Sequence, residues 1–310
     1  MNVLVSGVAS DIGLGVGRIL QEWGIFSCVY GIDISDDHPA SIIFDQIDIA
    51  PKADHRDYLH WLTDYIQNNK IDVFIPTSEA EIFSVSNEIN RFQKLCKVLI
   101  NDHFLVEKCL DKYETLIFLK ANNIAIPANG VVGENNYPLK YPVIIKPRRG
   151  QGSKGSKKVE SLSIFKSSPN GYVWQEYLTP ENEEYTCAIY VAKNFSIRKL
   201  IIKRSLIGGY TGKGIVVDNN IINNYVENIA KTFKKSGLFN IQLILTNEGP
   251  KLFEINPRLS STLVFRDKLG FHDLRWWINE CLNNELPDYS PVTKGIKIYR
   301  GSIEYIVKDK

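Results

Sequence analysis

Residues 239–262 read FNIQLILTNEGPKLFEINPRLSST. Phe239 to Leu245 alternates imperfectly between apolar and polar residues, and Thr246-Asn247-Glu248-Gly249-Pro250 carries turn chemistry. Lys251 to Asn256 is a second short apolar run, so the whole predicts a β-hairpin. Three polar residues interrupt its strands: Gln242, Glu254 and Asn256. Glu254 and Asn256 are two apart and therefore share a face. Burying a carboxylate and amides without partners costs several kcal/mol, so something must compensate them. A hard divalent cation does so: Mg²⁺ takes oxygen ligands, typically one or two carboxylates completed by phosphate and water. Gln242 supplies a further oxygen from across the hairpin, and Arg258 follows where a transferring phosphoryl group needs positive charge. A satisfied polar network at a sheet end is the alternative for the hairpin taken alone.

The 310 residues are enough for two or three compact domains, and 44% hydrophobic with 23% charged residues is an ordinary globular composition. A net charge of +2, without long basic runs, argues against a nucleic-acid partner. Five widely spaced cysteines form no CxxC pair, which suggests neither a zinc site nor a disulfide framework and fits a reducing cytoplasmic setting. No segment has the length of a membrane span, and the N-terminus lacks the features of a signal peptide.

Upstream, Val3-Leu4-Val5 is a short strand, Gly7 to Gly17 a glycine-rich turn, and Arg18 to Trp23 a helix. Ser27 to Asp33 is a second strand ending on an acid, so the chain opens as a doubly wound βαβ unit. The glycines at 7, 13, 15 and 17 fit no G-x-G-x-x-G frame, and close helix–strand packing accounts for them as well as a dinucleotide site does. A helix from His55 to Asn68 precedes the strand Asp72–Pro76. Thr77 to Glu81 then caps a helix, with Glu79 and Glu81 favourably placed on its dipole. Lys97 to Asn101 closes the first domain, and Asp102 to Asn123 reads as one helix.

Tyr141 to Pro147 is a strand ending on Lys146, and it runs into Arg148-Arg149-Gly150-Gln151-Gly152-Ser153-Lys154-Gly155. Such a loop offers many free N–H groups to phosphates, though no G-K-[ST] opens a helix after it. Tyr172 to Leu178 is an apolar strand with an acidic exit, and Lys199 to Ser205 a further strand. Gly208 to Gly214 reads as a second glycine-rich loop, and Ile222 to Ser236 as an amphipathic helix ahead of the hairpin.

These blocks, in this order, resemble the ATP-grasp superfamily, most closely the carbamoyl-phosphate synthetase large subunit. The resemblance rests on Ile144-Ile145-Lys146-Pro147 with its glycine loop, Gln175-Glu176-Tyr177-Leu178 with Glu184-Tyr185, and Phe253-Glu254-Ile255-Asn256-Pro257-Arg258. It implies an α/β chain: a Rossmann-like pre-ATP-grasp domain over 1–100 and a two-lobed α+β ATP-grasp fold over 101–290. The small lobe would span about 115–178 and the large about 179–290, with a β-like tail over 291–310. It further implies ATP and two Mg²⁺ (or Mn²⁺) ions. Lys112 and Lys146 would contact the adenine side and the phosphates. The loop bearing Gly150, Gly152, Ser153 and Gly155 would close over them. Glu176, Tyr177 and Leu178 would line the adenine edge, and Glu184 the ribose. Gln242, Glu254 and Asn256 would hold metal, with Arg258 and Arg204 at the γ-phosphoryl group.

The implied activity is a carboxylate–amine (or –thiol) ligase acting on small molecules by way of an acyl phosphate. A homodimer is compatible with it. A single unit without internal repeat departs from a full carbamoyl-phosphate synthetase, which has two tandem halves. A nucleotide-binding regulatory or scaffolding protein is the second reading, and an NAD-dependent oxidoreductase, resting on Gly7–Gly17 alone, the third.

Overall fold

The computed structural model describes residues 1–134, 136–150, 155–181 and 183–307. Two compact units emerge. The first comprises Met1–His103, Arg258–Val292 and Gly301–Lys310, the second Phe104–Pro257 and Thr293–Arg300.

The first unit is built on β1 (Asn2–Ser6), α1 (Asp11–Trp23), β2 (Cys28–Asp33), β3 (Gln46–Ile49), α2 (Tyr58–Asn68), β4 (Ile71–Ile75), α3 (Glu79–Asn87), α4 (Ile89–Phe92) and β5 (Lys97–Val98). The strands form one parallel sheet in the order β3-β2-β1-β4-β5. Val3, Leu4 and Val5 are all buried, as expected of a parallel strand covered on both faces. Leu4, Ile32 and Phe74 of the sheet pack with Tyr58, Leu62 and Ile66 of α2. Helix α1 starts well before Arg18, because Ser10 caps it by accepting from Gly13 N at 3.0 Å. Gly13 and Gly17 therefore lie on the helix rather than in a turn. A Cβ on Gly13 would stand 2.3 Å from the Gly7 carbonyl, and one on Gly17 2.5 Å from the Phe44 ring. Helix α2 starts at Tyr58 rather than His55, which is used in a turn. Strand β5 is only two residues long, although Leu99 N still donates to Phe74 O at 2.8 Å.

The second unit begins with α5 (His103–Leu110) and α6 (Lys112–Ala121). The single helix expected over 102–123 is thus broken. Asp111 ends one helix and caps the next, accepting from Tyr113 N at 3.0 Å and Glu114 N at 3.2 Å. This puts Lys112 at the first position of α6. Then follow β6 (Asn129–Val131), β7 (Val143–Lys146), β8 (Lys157–Val159), α7 (Leu162–Lys166) and β9 (Val173–Glu176), whose strands form an antiparallel sheet ordered β6-β9-β7-β8.

The larger sheet comes from β10 (Glu184–Val191), β11 (Ile197–Ile207), β12 (Tyr210–Val216), β13 (Gly237–Thr246), β14 (Gly249–Asn256) and β15 (Lys297–Tyr299), with α8 (Asn220–Phe233) between β12 and β13. Its order is β14-β13-β10-β11-β12-β15, antiparallel throughout. Ile222, Val226, Ile229 and Phe233 of α8 pack on Cys187, Ile189, Ile241 and Leu243 of this sheet. The expected glycine loop 208–214 is a tight turn at Gly208-Gly209 followed by strand. Gly214 lies in β12, where a Cβ would stand 2.6 Å from Ile202 of the paired strand. Of the tail, β15 adds a strand beside β12.

After β14 the chain returns to the first unit with α9 (Leu263–Lys268) and α10 (Asp273–Cys281). Gly15 of α1 lets α9 approach: a Cβ there would be 2.9 Å from Leu263. Arg266 and Asp273 form a buried ion pair at 2.8 Å that ties α9 to α10. Residues 258–292 therefore cluster with the first unit, which departs from the expected 101–290 division.

Candidate nucleotide and metal site

The hairpin of β13 and β14 sets Gln242 directly opposite Glu254 and Asn240 opposite Asn256. A bulge falls between Gln242 and Leu243 and leaves Phe253 outside the pairing. Bulges re-aim groups beside functional sites. Here the Phe253 carbonyl accepts from Lys146 Nζ at 2.7 Å.

Lys146 ends β7. Val143 and Ile145 point into the core with Trp174, so Ile144 and Lys146 face the other side of the small sheet. Burial pushes the Lys146 ammonium down to about 8, the nearby charge of Lys112 adds to this, and Glu254 opposes it. Lys112 Nζ donates to Gly150 O at 2.6 Å and stands 3.7 Å from Glu254 Oε1. Lys112, expected from the resemblance at the nucleotide, has a side chain only 13% exposed. The second unit thus brings together two ammonium groups, a carboxylate and the facing amide of Gln242.

On the large sheet, Arg204 Nη2 donates to Glu184 Oε1 at 2.6 Å and to Gln242 Oε1 at 2.9 Å, and Arg204 Nε to Glu184 Oε1 at 2.9 Å. The residues expected at ribose, γ-phosphoryl and metal are therefore cross-linked through β10, β11 and β13. Glu184 Oε2 has no part in these bonds, and Gln242 Oε1 keeps a second lone pair. Thr186 Oγ1 donates to Asn240 Oδ1 at 2.9 Å behind Gln242. Asn256 is buried.

Among the residues expected at adenine, Glu176 is engaged at both oxygens, by Ala128 N at 2.7 Å and Lys251 Nζ at 2.8 Å. Tyr177 N donates to Pro142 O at 3.3 Å, and Lys158 Nζ lies 4.2 Å from its ring centroid. Leu178 is buried. Gly150 and Gly155 both adopt positive φ, +125° and +76°, a conformation glycine takes without steric cost. Gly152 and Ser153 lie outside the described residues.

Gln175 escaped the sequence reading. It is buried beside Ile144 on the Lys146 face of the small sheet, and its Nε2 has no acceptor. A buried amide donor without a partner calls for a ligand atom or water. The signal was available: a polar residue in the apolar run Val173-Trp174-Gln175, the same sign that marks Gln242.

Arg258 belongs to the first unit, where its Nη2 donates to Glu79 Oε1 at 2.8 Å and its Nη1 to Leu259 O at 3.0 Å. Glu79 thus does more than complement the dipole of α3. At the crevice between β1 and β4, where an open α/β sheet would take a dinucleotide, a buried carboxylate is bonded to the protein's own hydroxyls. Glu81 accepts from Ser6 Oγ at 2.7 Å, Ser78 Oγ at 2.6 Å and Tyr58 OH at 3.0 Å, and burial raises its pKa. Asp33, at the position a ribose would need, accepts from Ala9 N at 2.8 Å and Ile34 N at 2.7 Å.

Residues 109–262 match the family model of an ATP-grasp domain. That part of the chain is an ATP-grasp domain. Solved structures of the same fold cover nearly all of the chain. One is the biotin carboxylase domain dimer of the Hydrogenobacter thermophilus 2-oxoglutarate carboxylase, in complex with MgADP, ADP and bicarbonate (TM-score 0.76, 15% identity, 96% of this chain and 73% of that one). Another is the L-amino acid ligase of Bacillus licheniformis (0.73, 14%, 91% and 74%). A third is the N5-carboxyaminoimidazole synthetase of Staphylococcus aureus (0.72, 17%, 92% and 78%). Among the described residues no helix is long and apolar enough to cross a membrane.

Proposed function

We propose that the chain binds ATP with Mg²⁺ and is a ligase that activates a carboxylate as an acyl phosphate for attack by an amine. The observation that carries this is the facing of Gln242 and Glu254, with Asn256 two residues on, inside a domain that matches the ATP-grasp family. The donor set is chemically apt but weakly charged: one carboxylate and two amides. Among the described residues no three His, Cys, Asp or Glu side chains gather at a metal site. Such a set suits a cation that arrives on a nucleotide, since Mg²⁺ keeps few protein ligands and takes phosphate oxygens for the rest. The unpartnered Gln175 Nε2 suits a purine acceptor on the same face as Lys146.

Bound Mg²⁺ neutralises phosphate oxygens and so makes the terminal phosphoryl group transferable. Gln242, Glu254 and Asn256 hold it through oxygen. Lys146 and Lys112 supply ammonium charge to the phosphates, and Glu184 offers its second oxygen to a ribose hydroxyl. Arg204 fixes the rotamers of Glu184 and Gln242, which is a positioning role. The part assigned to Arg258, charge neutralisation of the phosphoryl group in transit, rests on its place in the chain, two residues past Asn256. Gly150 to Gly155 is assigned the phosphate cover on the same grounds. A carboxylate is a poor electrophile, and phosphorylation gives it a good leaving group. The step then needs positioning and charge more than a protein nucleophile.

Release of ADP and phosphate against a panel of carboxylic acids and amines, with mass detection of products, tests the reading. A product linking acid to amine, lost in Glu254→Ala, supports it. Tight Mg-ATP binding with no ADP release from any pair would make the chain a nucleotide-binding protein instead.

A further inference from the structure

A pocket of about 320 Å³ opens on the larger sheet of the second unit, between the β10–β11 turn and the end of α8. Val191, Ile197 and Ala230 form its apolar floor, and Phe195 its lip. Lys231, Lys234 and Lys235 complete its lining. Its size lies at the lower end of small-molecule sites, about 300–1,000 Å³.

Phe195 is the unexpected element. It closes the turn by donating from its N to Ala192 O at 2.8 Å, and it does so at φ +64°. That left-handed conformation suits glycine or asparagine and disfavours a bulky side chain. Asn194 stands immediately before it and is used to accept from Ser196 N at 2.9 Å. The ring gains little from burial in return, since the residue is 61% exposed. Folding therefore gives no reason for an aromatic residue here, whereas a pocket lip does. The lysines have a partial structural account, because cations favour a helix C-terminus and Lys231 stands 3.5 Å from Glu227. That account covers neither the apolar floor nor Phe195.

We propose that this pocket is a binding site for a compact amphipathic anion, an apolar body seated between Phe195 and Ala230 with a carboxylate or similar head among the three lysines. The proposal is independent of the ligase reading, since it shares no residue with the nucleotide and metal set. The floor offers no polar side chain to a base or sugar, which disfavours a nucleotide, and the charge disfavours a neutral or cationic ligand.

Octanoate is a suitable probe, titrated by calorimetry into the full chain with and without saturating Mg-ADP. A saturable site with Kd of about 1 mM or tighter is expected. 1-Octanol should bind about tenfold more weakly, and 0.5 M salt should weaken octanoate but not octanol. Phe195→Gly should weaken octanoate about fivefold while the melting temperature holds or rises, because glycine relaxes the turn. Paired Lys234→Gln and Lys235→Gln changes should bring octanoate down to the level of octanol. The proposal is overturned if no saturable binding is found, if octanol matches octanoate, or if the folded Phe195→Gly protein binds octanoate unchanged.

Discussion

Gln242 and Glu254 face each other across the β13–β14 ladder, and the bulge beside them turns the Phe253 carbonyl to Lys146 at 2.7 Å. One local irregularity thus places an amide oxygen, a carboxylate and an ammonium group on one side of the hairpin. Isolated in an apolar sheet, these groups would be a liability. Around a metal–phosphate group they are complementary.

Glu254 is the only carboxylate of the proposed metal set. Glu254→Ala is expected to weaken Mg-ADP binding by about 10–100-fold and to abolish ADP release, with the fold intact. Calorimetric titration of Mg-ADP, with the melting temperature as control, checks this. Unchanged affinity would remove Glu254 from the metal site.

Lys146 is expected to make nucleotide binding pH-dependent. Burial holds it at about 8, below the ordinary 10.5. The unfolded chain therefore holds the proton to higher pH. Below pH 8 the buried charge costs the folded state roughly 3 kcal/mol, a penalty relieved as pH rises towards 10.5. A bound phosphate favours the charged form, so binding takes up a proton above pH 8 and affinity falls as pH climbs. Lys146→Met should be more stable than the parent at pH 7, with weaker binding and a flat pH profile. Titrations from pH 7 to 9.5 in buffers of different ionisation enthalpy measure the proton uptake directly.

Gln175 separates stability from binding. Its orphaned Nε2 is a cost to the ligand-free protein, so Gln175→Leu should leave stability unchanged or raise it by about 1 kcal/mol. The same change should shrink the thermal shift given by Mg-ADP. A variant that is less stable yet binds as before would show the amide to be structural.

Gly13 tests the first unit. Gly13→Ala pushes a methyl group against the Gly7 carbonyl and should destabilise the protein by about 1–3 kcal/mol. NAD(H) should stabilise neither protein, since Glu81 is bonded to Ser6, Ser78 and Tyr58 and both oxygens of Asp33 already accept from backbone N–H groups. A thermal shift with NAD(H) in the parent would reopen the dinucleotide reading.

Much of this is legible in local sequence, for a physical reason. Strands and helices announce themselves by apolar period, so β1, β4, α8 and the hairpin stand near where the pattern puts them. Gln242, Glu254 and Asn256 stand out because a polar residue in an apolar strand violates that pattern. Local signals weaken where a single side chain decides the outcome. Asp111, by capping α6, splits what periodicity reads as one helix, and two glycines suffice to turn β11 into β12, leaving Gly212 and Gly214 as strand.

Other features depend on residues far apart in the chain. The Arg204 link between Glu184 and Gln242 needs three strands aligned in register. The depressed Lys146 ammonium depends on burial and on Lys112, 34 positions earlier in the numbering. Residues 258–292 join the first unit because Gly15 admits Leu263. Sequence alone determined the individual strands and helices and the polar residues that break their pattern, because periodicity and turn chemistry act over a few residues, and the order of its motifs, through family resemblance, implied the class of fold. Only the tertiary structure decided which of those residues pair, which remain unpartnered and what charge they carry, because burial and register are properties of the assembled sheets.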